Sequence, residues 1–272
     1  MNEEHIVQGV KSQSVWWLNE RIKKIRNADH KSMEVNPFMA PLISALHGHE
    51  DFPALADFLL GGHFSIGHAT GFGKLIDEKI LPRVFGTVKL DKSARKTGVF
   101  NKSCFNNIDH VVHKDGKEIL LSMKASKWTI QLGQAVELNK SFYDIKNLFE
   151  NREHSYDSIV VATFYGHADN LTDKYRLVRG ISFGANHDVH DLQDYVEVLA
   201  GRDFWSWIGS DDQTQVWVMR GIQEAINEKK EGLEETQDLL NNYRSSFIDK
   251  YSGHINENGD IDWFSILGVT NR

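Results

Sequence analysis

Between Val15 and Ile25 the run VWWLNERIKKI sets Trp17, Leu18, Arg21, Ile22 and Ile25 at spacings of three and four, with basic residues on the opposite side. This pattern predicts an amphipathic helix. Pro37, Pro41 and Pro53 then punctuate a series of short helices, and Asp57 to Leu60 leads into GGHFSIGHATGFGK, whose glycines predict a tight turn and a boundary near Gly61. Leu75 to Leu81 reads as a further helix that stops at Pro82, because proline disfavours helical geometry in the residue before it. Two β-type runs follow, Asn107 to His113 and Glu118 to Lys124. Between them lies Lys114-Asp115-Gly116-Lys117, and Asp-Gly in that position predicts a two-residue hairpin loop. Trp128 to Phe149 places Leu132, Ala135, Val136, Phe142, Ile145 and Phe149 on one helical face, so a long helix should pack on the hairpin. SIVVATFYG is nearly continuous apolar, as a central strand buried on both faces requires, YRLVRGI alternates more, and DYVEVLAG is a third strand candidate. A polar helical pattern returns from Asp211 through Ile226 and from Leu233 to Tyr251.

The elements predict an α/β fold with a mixed sheet flanked by helices, in three consecutive parts. Residues 1–60 form a helical N-terminal part, 61–210 the α/β core, and 211–272 a helical C-terminal part that packs with the first. Helical flanks of this kind supply a second layer or a dimer interface. At 272 residues, with 40% hydrophobic and 25% charged, the chain is long enough to bury a core without metals or disulfides, and its single cysteine, Cys104, allows no internal bridge. No apolar run reaches the roughly 20 residues that span a bilayer, and the opening MNEEHIVQGVKSQ lacks a basic segment followed by an apolar one. A cytoplasmic protein without a membrane partner is expected.

The net charge of -7 argues against a polyanionic partner until its distribution is considered. Asp188 to Asp238 holds 13 acids against four bases, a local balance of -9, so the remainder is +2. Arg83 to Lys102 carries Arg83, Lys89, Lys92, Arg95, Lys96 and Lys102 against Asp91 alone. That basic stretch suits nucleic acid, although a solvated loop has the same composition.

The hairpin carries the chemistry. With Asp115-Gly116 as its loop, Lys114 pairs with Lys117 and Asp109 faces Ser122, while Lys124, two residues on, points to the same side. A carboxylate, a hydroxyl and an ammonium should converge, with Ile108, Val112, Ile119, Leu121 and Met123 forming the opposite, packing face. A carboxylate suits Mg²⁺, which keeps waters and is held by one or two acids together with a substrate phosphate. A nearby lysine can align a water against that phosphate.

These residues resemble a known family. IDHVVHKDGKEILLSMKASKWTIQL is similar to the active-site hairpin of PD-(D/E)XK nucleases, and more narrowly of the Eco-O-type type II restriction endonucleases that read purine-GGNCC-pyrimidine (RGGNCCY). The similarity extends through NPFMAP, GHATGFGKLIDEKILPRVFG, VKLDKS, ATFYG, LTDKYRLVRGI and GANHDV, most of the chain. It implies a PD-(D/E)XK nuclease-like core with additional N- and C-terminal helical dimerisation elements, Mg²⁺-dependent hydrolysis of double-stranded DNA at a palindromic site, a homodimer, and a DNA methyltransferase as functional partner. Asp109 would then bind metal and Lys124 position or activate water. Two positions depart from the superfamily pattern: Ile108 stands for the proline before Asp109, and Ser122 for the acid two residues before Lys124. The narrower group shares the serine. A second acid would come from an early helix, Glu78 in the first instance or Asp77 if that helix is rotated, and the main-chain carbonyl of Met123 could add a ligand.

Candidate DNA contacts follow from side-chain chemistry. Lys89, Lys92, Arg95, Lys96 and Lys127 suit phosphates, whereas Lys174, Arg176, Arg179, Asn186 and His187 offer groups that read base edges. Charged residues also protect an edge strand from aggregation, the plainer account of 174–179. GHATGFGK is not a nucleotide loop, since His68 takes the first glycine position and Leu75 that of the metal-binding hydroxyl. The histidines lack zinc-type spacing with cysteines or acids. Three functions thus compete: a site-specific endonuclease, a catalytically inactive sequence-specific DNA-binding protein on a nuclease scaffold, and a histidine-based metal hydrolase.

Overall fold

In the computed structural model the described residues are 1–28, 34–49, 51–124, 130–149, 156–183, 187–257 and 260–270. The protein is mixed α/β. One five-stranded sheet, ordered β1-β2-β3-β4-β5, consists of β1 (Val88–Lys89), β2 (His110–Lys114), β3 (Lys117–Lys124), β4 (Ser158–Thr163) and β5 (Val196–Ala200). β1, β2 and β3 pair antiparallel, while β3, β4 and β5 run parallel. The described helices are α1 (Glu3–Arg26), α2 (Met39–His47), α3 (Phe52–Leu75), α4 (Leu81–Val84), α5 (Leu132–Phe149), α6 (Lys174–Val178), α7 (Arg202–Gly209), α8 (Thr214–Glu228), α9 (Lys230–Tyr251) and α10 (Trp263–Thr270). Among the described residues no helix is long and apolar enough to cross a membrane.

Two compact units divide the chain. One joins Met1–Ser14 to Gly73–Glu224 and contains the sheet; the other joins Val15–Phe72 to Ala225–Arg272 and is helical. These units draw on non-contiguous stretches, whereas the pattern along the chain suggests three consecutive parts. Each unit has its own core. Ile108, Val111, Leu120, Phe142, Ile145, Ile159 and Val161 centre the first, and Phe52, Leu55, Phe247, Tyr251 and Ile266 the second.

The hairpin forms in the expected register, with Lys114 opposite Lys117 and His110 opposite Leu121. Asp115 (φ 52°) and Gly116 (φ 76°) both take the left-handed geometry that a type I′ loop needs. The packing of its faces differs from expectation. Val111 and Leu120, which share the face of Asp109, join Ala135, Leu138, Phe142 and Ile145 of α5 in one cluster, so α5 does not simply cover the Val112 and Leu121 face. Parallel pairing with β4 buries β3 on both faces, and Ile119, Leu120, Leu121 and Ser122 are all buried. On α5 itself Leu138 and Asn139 are buried, Leu132 is exposed and Val136 is half-buried.

Three further elements correct the pattern reading. The glycine-rich run is not a turn but the body of α3, which continues past Gly61 to Leu75. Glycine weakens a helix by only about 1 kcal/mol relative to alanine, a cost that the helix absorbs while its ends are buried at Leu55, Ala56, Leu60 and Leu75. At Gly71 a Cβ would lie 2.7 Å from the Arg21 guanidinium carbon, so the bare backbone makes room for that side chain. Pro82 does not end its helix either. Ile76–Ile80 widens into a π turn, in which the Leu81 N–H reaches back to the Ile76 carbonyl, and α4 follows directly with Pro82 near its start. YRLVRGI, the alternating strand candidate, is helical over Lys174–Val178: Tyr175, Leu177 and Val178 are buried and Arg176 is exposed. Five residues are too few to tell a period of two from a helical turn.

Candidate active site

Asp109 lies one residue ahead of β2, where its N–H donates to the Leu121 carbonyl (2.8 Å) and its carbonyl accepts from the Leu90 N–H (2.8 Å). This places its side chain on the face of Ser122 and Lys124. Carboxylate oxygen Oδ2 accepts the Met123 N–H at 2.8 Å. An extended residue turns its N–H and C=O to the same strand edge, so the Met123 carbonyl also looks towards Asp109. Lys124 closes β3 beside Thr163 of β4, at the carboxyl end of the parallel strands, where open α/β sheets place ligands.

Both charged groups are half-buried, and their electrostatics follow from that. Burial pushes the Asp109 carboxyl above its ordinary value; the Met123 N–H and the Lys124 ammonium oppose the shift, and Asp77 adds to it. Burial likewise pulls the Lys124 amine below the usual lysine range, with Asp109 opposing. A carboxylate and an amine, each made uncomfortable as an ion and each supported by the other, sit on one face of one hairpin.

Asp77, rather than Glu78, is the early-helix acid turned towards this region. Glu78 is exposed. Asp77 pairs through Oδ1 with His110 Nε2 (2.8 Å) and through Oδ2 with the Lys89 ammonium. His110 is fully buried and contacts Thr87 Oγ1 through Nδ1 at 2.9 Å, so both ring nitrogens are occupied. Burial alone would raise the Asp77 carboxyl, but the hydrogen bonds and charges of His110 and Lys89 outweigh it and hold the group below its ordinary value. Nothing in the local sequence signals this chain of contacts, since His110 and Asp77 are 33 residues apart.

Ser122 is fully buried, and its hydroxyl donates to the Asn107 carbonyl at 2.6 Å. It therefore shapes the approach to Asp109 rather than offering a free hydroxyl proton.

The candidate DNA-contacting residues separate into groups. Lys92 and Lys96 are exposed. Lys89 is tied to Asp77, and the Arg95 guanidinium donates to three main-chain carbonyls. Arg179 donates to the Val196 carbonyl (3.0 Å) and the Gln193 carbonyl (3.4 Å), which anchors the entry to β5. Exposed Arg176 lies 3.6 Å from Asp173, Lys174 is half-buried in the first turn of α6, and His187 packs its ring against Phe183. Lys127 and Asn186 lie outside the described residues.

The donor set suits a particular class of metal. Among the described residues no three His, Cys, Asp or Glu side chains gather into a cluster that could hold an ion. One carboxylate and one main-chain carbonyl, both hard oxygens, fit a cation that keeps most of its water, as Mg²⁺ does, and not a closed zinc cage. Comparison with models of known protein families and with curated proteins finds no match to this chain.

Proposed function

We propose that the protein is a Mg²⁺-dependent endonuclease that hydrolyses phosphodiester bonds of double-stranded DNA, a type II restriction endonuclease of PD-(D/E)XK type acting as a cytoplasmic homodimer at an RGGNCCY-like site. The observation that carries this reading is the placement of Asp109 and Lys124 on one hairpin face, at the carboxyl end of the parallel strands, with their charges coupled. The resemblance of the hairpin and its flanking motifs to that nuclease family supports it.

Asp109 and the Met123 carbonyl would hold Mg²⁺, which when bound offsets negative charge on the phosphate and eases deprotonation of water. Lys124 donates to a phosphate oxygen and aligns water opposite the leaving O3′. Burial lowers its basicity below that of an ordinary lysine, and Asp109 opposes the shift. The water oxygen bonds to phosphorus and gives up a proton to solvent, the P–O3′ bond breaks and O3′ takes a proton from solvent, so the products carry 5′-phosphate and 3′-hydroxyl ends. The Met123 N–H keeps one Asp109 oxygen oriented, so no rotamer search is needed when metal and substrate arrive.

Purified protein incubated with long duplex DNA and Mg²⁺ should yield discrete fragments that vanish in EDTA. Lys124→Ala should abolish cleavage while leaving duplex affinity within about threefold, and Asp109→Asn should abolish metal-dependent cleavage. Normal cutting by either variant removes that residue from the mechanism. The buried serine in place of a second acid favours the other reading, a DNA-binding protein without catalysis, which predicts a mobility shift and intact DNA.

A further inference from the structure

Charge alone makes Arg95 a phosphate-contact candidate, but its geometry serves another purpose. Its guanidinium donates from Nε to the Leu90 carbonyl (3.0 Å), from Nη1 to the Phe105 carbonyl (2.6 Å) and from Nη2 to the Ile108 carbonyl. Two of the acceptors flank Asp109, and the third, the Phe105 carbonyl, also accepts the Ile108 N–H (3.0 Å). Ile108 immediately precedes it, and Leu90 supplies the N–H that the Asp109 carbonyl accepts. The peptide before Asp109 is therefore held by Arg95 on its C=O and by the Leu121 carbonyl on its N–H, while the peptide after it is held by Leu90, itself fastened to Arg95. Ser122 caps the Asn107 carbonyl, so the carbonyls of residues 105, 107 and 108 all accept from side chains. Arg95 is set in turn by Asp91, whose Oδ1 accepts the Ser93 and Ala94 N–H groups (2.8 Å each) and whose carbonyl accepts the Arg95 N–H (3.0 Å).

We propose that Arg95 is a positioning residue for the reaction: its guanidinium locks the main chain on both sides of Asp109 and thereby fixes where the carboxylate stands. The inference rests on the nuclease reading above. A planar fork with donors pointing three ways is what three divergent carbonyls require, and a lysine ammonium reproduces the charge without that fork. A guanidinium spent on backbone carbonyls is also a poor partner for a DNA phosphate. The two roles therefore predict opposite results.

Arg95→Lys and Arg95→Ala should each lower kcat, by about 10²-fold for alanine, because a displacement near 1 Å at a reacting group costs that much. KM should stay within about threefold. The Mg²⁺ concentration giving half-maximal rate should rise, which a simple loss of folded protein would not cause. The dependence of duplex affinity on salt should keep its wild-type slope, whereas a phosphate contact would lower it by about 1 on substitution by alanine. Ser122→Ala, which removes one cap, should move kcat the same way by less, and it remains informative if Arg95→Ala does not fold. Wild-type kcat in both Arg95 variants, or a loss confined to affinity with a reduced salt slope, overturns the proposal. A wild-type protein that neither cuts nor binds duplex DNA instead removes the nuclease reading. Amide hydrogen exchange at Leu90 and Asp109 then decides the positioning: faster exchange in Arg95→Lys upholds it, and unchanged exchange overturns it.

Discussion

Two neighbouring aspartates, Asp77 of the π turn and Asp109 ahead of β2, are shifted in opposite directions. Asp77 sits below its ordinary value of 3.8 because His110 and Lys89 favour its ionised form. Its contribution to stability is present above 3.8 and is lost as pH falls through its folded-state value. Asp109 is raised by burial, so its charge costs stability above its folded-state value, and that cost disappears as pH falls through it. In EDTA at pH 7, Asp77→Asn should therefore destabilise the protein by roughly 1.5–3 kcal/mol, the worth of hydrogen bonds to a charged group. Asp109→Asn should stabilise it by roughly 1 kcal/mol while removing cleavage, since a poorly solvated charge is lost and the amide oxygen can still accept from Met123. Urea unfolding checks both, and each difference should shrink on acidification. A stabilised Asp77→Asn protein would contradict the pairing seen here.

Glycines at the level of whole elements illustrate how position decides cost. In α3, Gly61 and Gly62 are exposed and a Cβ at either meets nothing within 4 Å. Alanine at each should stabilise the helix by about 0.5–1 kcal/mol, measured by the denaturant midpoint. Gly180 is the opposite case. It has a φ of 86°, and a Cβ would lie 2.0 Å from the His190 carbonyl oxygen. That approach closes the segment between α6 and β5 at its base, where Asn139 of α5 also bonds the His190 backbone through its side-chain oxygen (2.7 Å) and nitrogen (2.8 Å). Gly180→Ala should lower stability by more than 1 kcal/mol. These elements also show why the chain pattern misleads. α3 looks like a loop by composition and α6 like a strand by alternation, but the partners that bury their apolar sides lie elsewhere in the sequence.

Across the whole molecule, the proposed nuclease, an acidic protein of net charge -7, would engage DNA through a local basic surface. The structure narrows that surface. Lys89, Arg95 and Arg179 contact other protein groups, which leaves exposed Lys92, Lys96 and Lys102 as the better phosphate contacts of the basic stretch. The double variant Lys92→Ala/Lys96→Ala should weaken binding to all duplexes alike and reduce the salt slope by about 2, while kcat at saturating DNA is kept. Titration of cognate and random duplexes over a range of salt tests this. A slope unchanged from wild type would place the phosphate contacts elsewhere.

The sequence by itself determined the hairpin, its register and hence the shared face of Asp109 and Lys124. A two-residue Asp-Gly loop and a side-chain period of two are local properties, and together they admit one pairing. It also determined that β4 is buried on both sides, since an unbroken apolar run has few other uses. Only the tertiary structure decided that Asp77 and not Glu78 turns inwards, that Ser122 and Arg95 serve the backbone around Asp109, and that a glycine-rich run is helical. Each of those outcomes depends on atoms brought together from distant parts of the chain, where charge and composition state what a side chain can do but not which neighbour it will meet.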